Sequence, residues 1–202
     1  MPDYSLIFTL LFVMLGPFKI LGPFAKLTKD LDPVFTRKIA VRAILYSFFT
    51  LTLAAFLGAK ILSRAGVPIP ILTLSGGIIL FLVALLGTIK QFEPAKAQEE
   101  TTGAPTMQLA IYPIAFPIIV TPYGIAAVIV FNTLSADLHS KLMVGAIVVG
   151  IMVLNLFVML FAKVLFKPLA VFLAILGAIL GMLTVALGAN IIYNSLTALL
   201  TK

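Results

Sequence analysis

A single lysine, Lys19, stands between two Gly-Pro pairs, Gly16-Pro17 and Gly22-Pro23, inside an otherwise apolar run from Ser5 to Leu27. A second run, Met107 to Asn132, carries Pro113, Pro117 and Pro122, the last flanked by Thr121 and Tyr123. The chemistry these residues offer is recognition, not bond-making. Proline lacks a backbone N–H and its ring clashes with the preceding turn, so a proline inside a helix frees carbonyl oxygens that need other partners. Half-helix ends offer partial positive charge at N-termini and carbonyl oxygens at C-termini, and an ammonium beside them adds a full charge. A small polar solute suits such a set. The candidate binding residues are therefore Pro17, Lys19, Gly22, Pro23, Pro117, Thr121, Pro122 and Tyr123. The competing roles are packing kinks for the prolines and, for Lys19, snorkelling to the headgroups near Lys26.

Other chemistries lack their residues. There is no cysteine, and the one histidine, His139, follows Asp137 in a short polar stretch. No Asp or Glu falls deep in an apolar run, so a carboxylate proton relay has no candidate. With no histidine cluster, paired carboxylate or activated nucleophile, neither an enzyme nor a metal or cofactor site is expected. Coupling of solute movement to Na+ through freed carbonyls, or to H+, stays open.

The elements that must position these residues are membrane helices. Hydrophobic residues make up 62% of the chain and charged residues 10%, and the mean hydropathy is +1.21. A soluble domain has about 25% charged residues; so few charges cannot cover the surface of a 202-residue globule, which makes lipid the main partner. The net charge of +7 lies mostly between apolar runs and reports orientation, not nucleic-acid binding. A crossing needs about 20 apolar residues. Six runs qualify: Ser5–Leu27, Ile39–Leu62, Pro70–Ile89, Met107–Asn132, Leu142–Leu165 and Leu169–Leu200. They leave connections at Thr28–Lys38, Ser63–Ile69, Lys90–Thr106, Thr133–Lys141 and Phe166–Pro168. The positive-inside rule favours both termini outside, mainly through Lys26, Lys29, Arg37, Lys38 and Arg42 in and beside the first connection.

Two halves resemble each other. A shift of 101 positions carries Gly76 onto Gly177 and Gly87 onto Gly188. Shifts of 100 and 99 carry Pro17 onto Pro117 and Pro23 onto Pro122. The expected architecture is all-α and membrane-spanning, with six helices as two three-helix repeats, residues 1–90 and 107–202, joined by a polar connector at 91–106. Three crossings is an odd number, so the second repeat is inverted. Inverted repeats with matching broken helices are the recurring plan of secondary transporters, with the site near the midplane. Small residues at Gly76, Gly77, Gly177 and Gly181 suit close helix packing, within one chain or between copies in a homo-oligomer.

Several stretches together resemble the MarC family of bacterial and archaeal inner-membrane proteins. They are Arg37-Lys38-Ile39-Ala40-Val41-Arg42, Gly58-Ala59-Lys60-Ile61-Leu62, Ser75-Gly76-Gly77 continuing to Ala84, and Tyr112-Pro113-Ile114-Ala115-Phe116-Pro117 continuing to Thr121-Pro122. The resemblance implies a multi-pass protein of the cytoplasmic membrane and, as for some members, transport of neutral amino acids. Relatives often open the first broken helix with Asn-Pro or Asp-Pro and place glycine two residues after that proline. Here Gly16-Pro17 opens it and Lys19 holds the glycine position. The leading expectation is a secondary transporter of a small polar solute by alternating access. A membrane scaffold or accessory subunit is the alternative, with an ion channel third because no charged ring or filter-like run is present.

Overall fold

The computed structural model describes residues 4–90, 106–135 and 137–201. Among them it is helical throughout, without strands. Helices α1 (Tyr4–Leu15) and α2 (Phe18–Leu27) form the first crossing, broken at Gly16-Pro17. Helix α3 (Pro33–Leu53) runs through a wide π turn at Ala54–Gly58 into α4 (Ala59–Ala65). Helix α5 covers Ile69–Lys90. After a short 3₁₀ turn at Met107–Ala110 comes an irregular segment, Ile111–Ile119, and then α6 (Pro122–Leu134). Helices α7 (Leu138–Leu160) and α8 (Ala162–Leu200) complete the chain.

Five helical stretches are long and apolar enough to cross a membrane, and the pair Met107–Ile119 and Pro122–Leu134, bent by 64°, makes a sixth if it is one broken span. Leu45, Phe49, Phe56 and Val153 lie exposed, as expected of side chains that meet acyl chains instead of water. The buried core runs through Leu11, Leu15, Ile20, Phe24, Ile39, Ile114, Ile151 and Met152, where the two broken spans meet α3 and α7.

Local sequence accounts for the starts and breaks. Asp32 caps α3, its carboxylate accepting from the N–H groups of Val34 at 2.8 Å and Phe35 at 3.2 Å, with Pro33 at the first helical position, where a missing N–H costs nothing. Helix α3 therefore starts within the expected connection Thr28–Lys38, and Arg37 and Lys38 are helical. Tyr112 and Phe116 take extended φ/ψ; each precedes a proline, whose ring disfavours the α conformation in the residue before it. Tyr112-Pro113 and Phe116-Pro117 are both cis peptides.

Two expectations are corrected. The expected connection Phe166–Pro168 is helical backbone within the 39-residue α8, and the turn lies earlier, at Phe161. Leu160 already ends α7, so Pro168 forfeits one hydrogen bond inside a helix that continues on both sides. Gly22-Pro23 does not break the first span: Pro23 is inside α2 and exposed. The chain has already turned at Pro17, whose carbonyl accepts from the N–H groups of Ile20 and Leu21, both at 3.2 Å, to start the new helix.

Asp137 caps α7, accepting from the Ser140 backbone N–H at 2.9 Å and the Ser140 hydroxyl at 2.7 Å. These bonds hold its carboxyl below the ordinary 3.8. A carboxylate with a depressed folded-state pKa contributes stability above its unfolded pKa and loses that contribution as pH falls through the folded value. Asp137→Ala is accordingly expected to lower the unfolding midpoint in detergent modestly at neutral pH, with the difference from wild type shrinking as pH falls below about 3.8 and vanishing only below the lower folded-state value. A difference that persisted at lower pH would show that the cap does not depend on the carboxylate.

Candidate functional site at the meeting of two helix breaks

The break at Gly16-Pro17 removes the helical partners of the carbonyls that end α1. The last two, of Met14 and Leu15, find side chains. Lys19 Nζ donates to the Met14 carbonyl at 3.2 Å, and the Thr121 hydroxyl lies 3.5 Å from the same oxygen. Asn155, fully buried on α7, donates its Nδ2 to the Leu15 carbonyl at 2.7 Å. A buried carbonyl left without a donor costs about 1–3 kcal/mol, so these contacts make the break tolerable at membrane depth.

The second break is built from the opposite end of a helix. Val120 and Thr121 are extended, and Thr121 caps α6 by accepting from the Gly124 N–H at 3.1 Å, with Pro122 at the first helical position. That start brings Tyr123 to Lys19, whose ammonium donates to the Tyr123 hydroxyl. Nζ also lies 4.5 Å from the ring centroid, a distance that the hydroxyl contact by itself produces. A carbonyl end and an N–H end thus meet across two broken spans, bridged by Lys19 and Tyr123.

Beside this bridge opens a cavity of about 340 Å³ between the first span, α5, α6 and α8, with Phe12, Phe18, Lys19, Thr88, Tyr123 and Thr184 among its walls. Of the expected site residues, Lys19 and Tyr123 face it directly. Pro17, buried, makes the break beside it, and Thr121, also buried, shapes the start of α6. Gly22, Pro23, Pro117 and Pro122 do not line the cavity. Among the described residues no cluster of metal-ligating side chains occurs.

The glycines divide in use. An added Cβ at Gly77 would come within 2.8 Å of the Ile191 side chain, and one at Gly76 within 3.0 Å of Ala126. Gly181 lines the cavity. Gly177 lies outside the residues whose side chains are described. Gly188 makes the tightest contact with α5, where a Cβ would meet the Phe81 backbone at 2.7 Å.

Of the polar side chains inside the apolar runs, only some bond across helices. Asn155 and Asn132 are two, the latter donating to the Ala55 carbonyl at 2.8 Å in the π turn. Thr50, Ser75 and Thr184 instead bond the carbonyl four residues back in their own helices, the partner a short hydroxyl reaches without leaving its helix. Thr88 and Thr184 as cavity walls, and Asn155 as a partner of the break, carry no signal in the sequence beyond being polar in an apolar run.

A family model, described as MarC family integral membrane protein, matches residues 1–200. The chain belongs to the MarC family. A UPF0056 membrane protein of Archaeoglobus fulgidus is 33% identical over 140 residues, 68% of this chain and 65% of that relative. A UPF0056 membrane protein of Methanocaldococcus jannaschii is 25% identical over 195 residues, 96% and 95% of the two chains. The UPF0056 inner membrane protein YhgN of Escherichia coli is 31% identical over 124 residues, 61% of this chain and 60% of YhgN. The first two curated relatives are thus matched over 65% and 64% of their length. No solved structure matches this MarC protein. Family membership and five or six apolar helices make it a multi-pass membrane protein, of the inner membrane by its likeness to YhgN.

Proposed function

We propose that this MarC protein is a secondary transporter, not an enzyme, and that it moves a small polar solute across the cytoplasmic membrane by alternating access. The observation that carries this reading is the cavity where two broken spans meet, mostly apolar but with Lys19 and Tyr123 on its wall. An ammonium near a bilayer midplane is costly unless it serves a function or finds partners, and unwound backbone at that depth is tolerated where it lines a cavity.

The inverted-repeat plan fits the same reading, with residues 1–90 and 107–202 as the halves and 91–106 as the connector. Helices α5 and α8, whose glycines match in sequence, pack against each other more extensively than any other pair among the described residues. Both termini outside remains the orientation that the basic residues favour, and H+ or Na+ is the coupling ion to be tried.

The test is flux into liposomes carrying the purified protein, under imposed H+ or Na+ gradients, with a panel of small polar solutes that includes neutral amino acids. Saturable uptake is expected for at least one solute, reduced about tenfold or more in Lys19→Met by loss of a charge-assisted contact. Uptake no faster than in protein-free liposomes across the whole panel would end the transporter reading.

A further inference from the structure

We propose that the solute held in this cavity is a small monoanion, with Lys19 as its counter-ion. The proposal rests on reading the cavity as the solute site, and narrows the solute to one class: a carboxylate or an equivalent single negative charge on a compact, largely apolar body.

The charge around Lys19 does not balance. Among the described residues, Lys19 and Tyr123 are the only ionisable side chains on the cavity wall, and the one ion pair is Lys29 with Asp30, elsewhere. The described groups that bond the ammonium are uncharged, the Met14 carbonyl from α1 and Tyr123 from α6, and so are the polar side chains that share the cavity wall, Thr88 from α5 and Thr184 from α8. Helix ends do not supply the missing charge. The carbonyl end of α1 offers at most about half a negative charge, and the N-terminus of α6, where Tyr123 sits, about half a positive one. They offset each other and leave the ammonium's unit charge without a partner.

Donors remain for an anion. An ammonium has three N–H groups. One is directed to the Met14 carbonyl and one to the Tyr123 oxygen, which leaves the third. The Tyr123 hydroxyl, which accepts from Lys19 and has the Thr121 side chain as a further partner, can turn its O–H to an anion in the cavity. A carboxylate takes two such donors on its two oxygens, while its body lies against Phe12, Phe18, Val83 and Leu180. A zwitterion matches this site poorly, because its own ammonium would enter a cavity whose wall, among the described residues, has a cation and no carboxylate. The volume of about 340 Å³ is at the small end of ligand sites, which limits the body to a short chain or one ring.

Calorimetric titration of the intact protein in detergent tests this with matched probes: butyrate and benzoate against butyramide, benzamide and alanine. The carboxylates are expected to bind about ten- to hundred-fold more tightly than the amides, the ratio a charge-assisted contact supplies, with alanine no better than the amides. Lys19→Met should erase the preference, Lys19→Arg should keep most of it, and Tyr123→Phe should weaken carboxylate binding several-fold. If Lys19→Met fails to fold, the carboxylate-to-amide ratio in wild type, Lys19→Arg and Tyr123→Phe decides the matter. Amides or alanine binding as tightly as carboxylates, no carboxylate binding, or a preference intact in Lys19→Met would each overturn the proposal. So would binding confined to dihexanoyl phosphatidylglycerol, which would assign the ammonium to a lipid headgroup. Lys19-dependent carboxylate binding without flux in liposomes would uphold the monoanion and overturn transport. Flux of neutral solutes without carboxylate preference would do the reverse.

Discussion

Replacing Asn155 by alanine is expected to destabilise the protein by about 2–4 kcal/mol, read as a fall in the unfolding midpoint in detergent. Two losses combine. The Leu15 carbonyl at the end of α1 loses its donor, at about 1–3 kcal/mol for a buried unpaired group, and the fully buried side chain leaves a void between α7 and the first span. Asn155→Leu separates them, because it refills the volume without restoring the donor. Asn155 Oδ1 has no partner of its own, so leucine also removes an unsatisfied acceptor, and this variant should fall between alanine and wild type. Wild-type stability in Asn155→Leu would show that the break does not depend on this bond. Because the bond fixes the end of α1 beside Lys19, both variants should also weaken solute binding at the cavity.

Gly188→Ala should lower stability by about 1–3 kcal/mol or more, although alanine is otherwise the better helix former by about 1 kcal/mol. The new methyl would lie 2.7 Å from the Phe81 nitrogen and 2.8 Å from its Cα, and backbone cannot rotate aside. The helices α5 and α8 must separate, which loosens their contact along its length. Gly145→Ala and Gly150→Ala are the controls, since a Cβ at either meets nothing within 4 Å; they should leave the midpoint unchanged or raised. Gly77→Ala should sit between, because the nearest atom is a side-chain methyl, Ile191 Cγ2 at 2.8 Å, and the nearest backbone atom, Ile192 N, is farther at 3.2 Å. Equal midpoints for Gly188→Ala and Gly145→Ala would refute the close α5 and α8 approach.

Much of this protein is readable from composition and proline placement alone. With 10% charged residues no soluble arrangement covers the surface, so membrane helices follow. A proline breaks a helix by removing one donor and crowding one carbonyl, so both broken spans were visible at Pro17 and at Pro113, Pro117 and Pro122. Lys19, the one charged side chain deep in a run, was equally visible, since its cost in lipid is a property of the residue. Pro23 misled because a proline tolerates two outcomes: once Pro17 had turned the chain, α2 could continue past it.

What the tertiary structure decided is which groups answer the breaks. The Met14 and Leu15 carbonyls are freed by local sequence, but their donors come from Lys19 nearby and from Thr121 and Asn155, more than 100 residues away. Such pairs depend on how spans pack, and in a chain so rich in leucine, isoleucine and valine many packings satisfy the same hydropathy pattern. Gly188 shows the same limit. As a residue type it permits close approach, yet only the placement of α5 against α8 makes that approach necessary. The partnering of Lys19 with Tyr123 likewise arises where α1 ends and α6 begins, a meeting point set by both breaks together and by neither run alone.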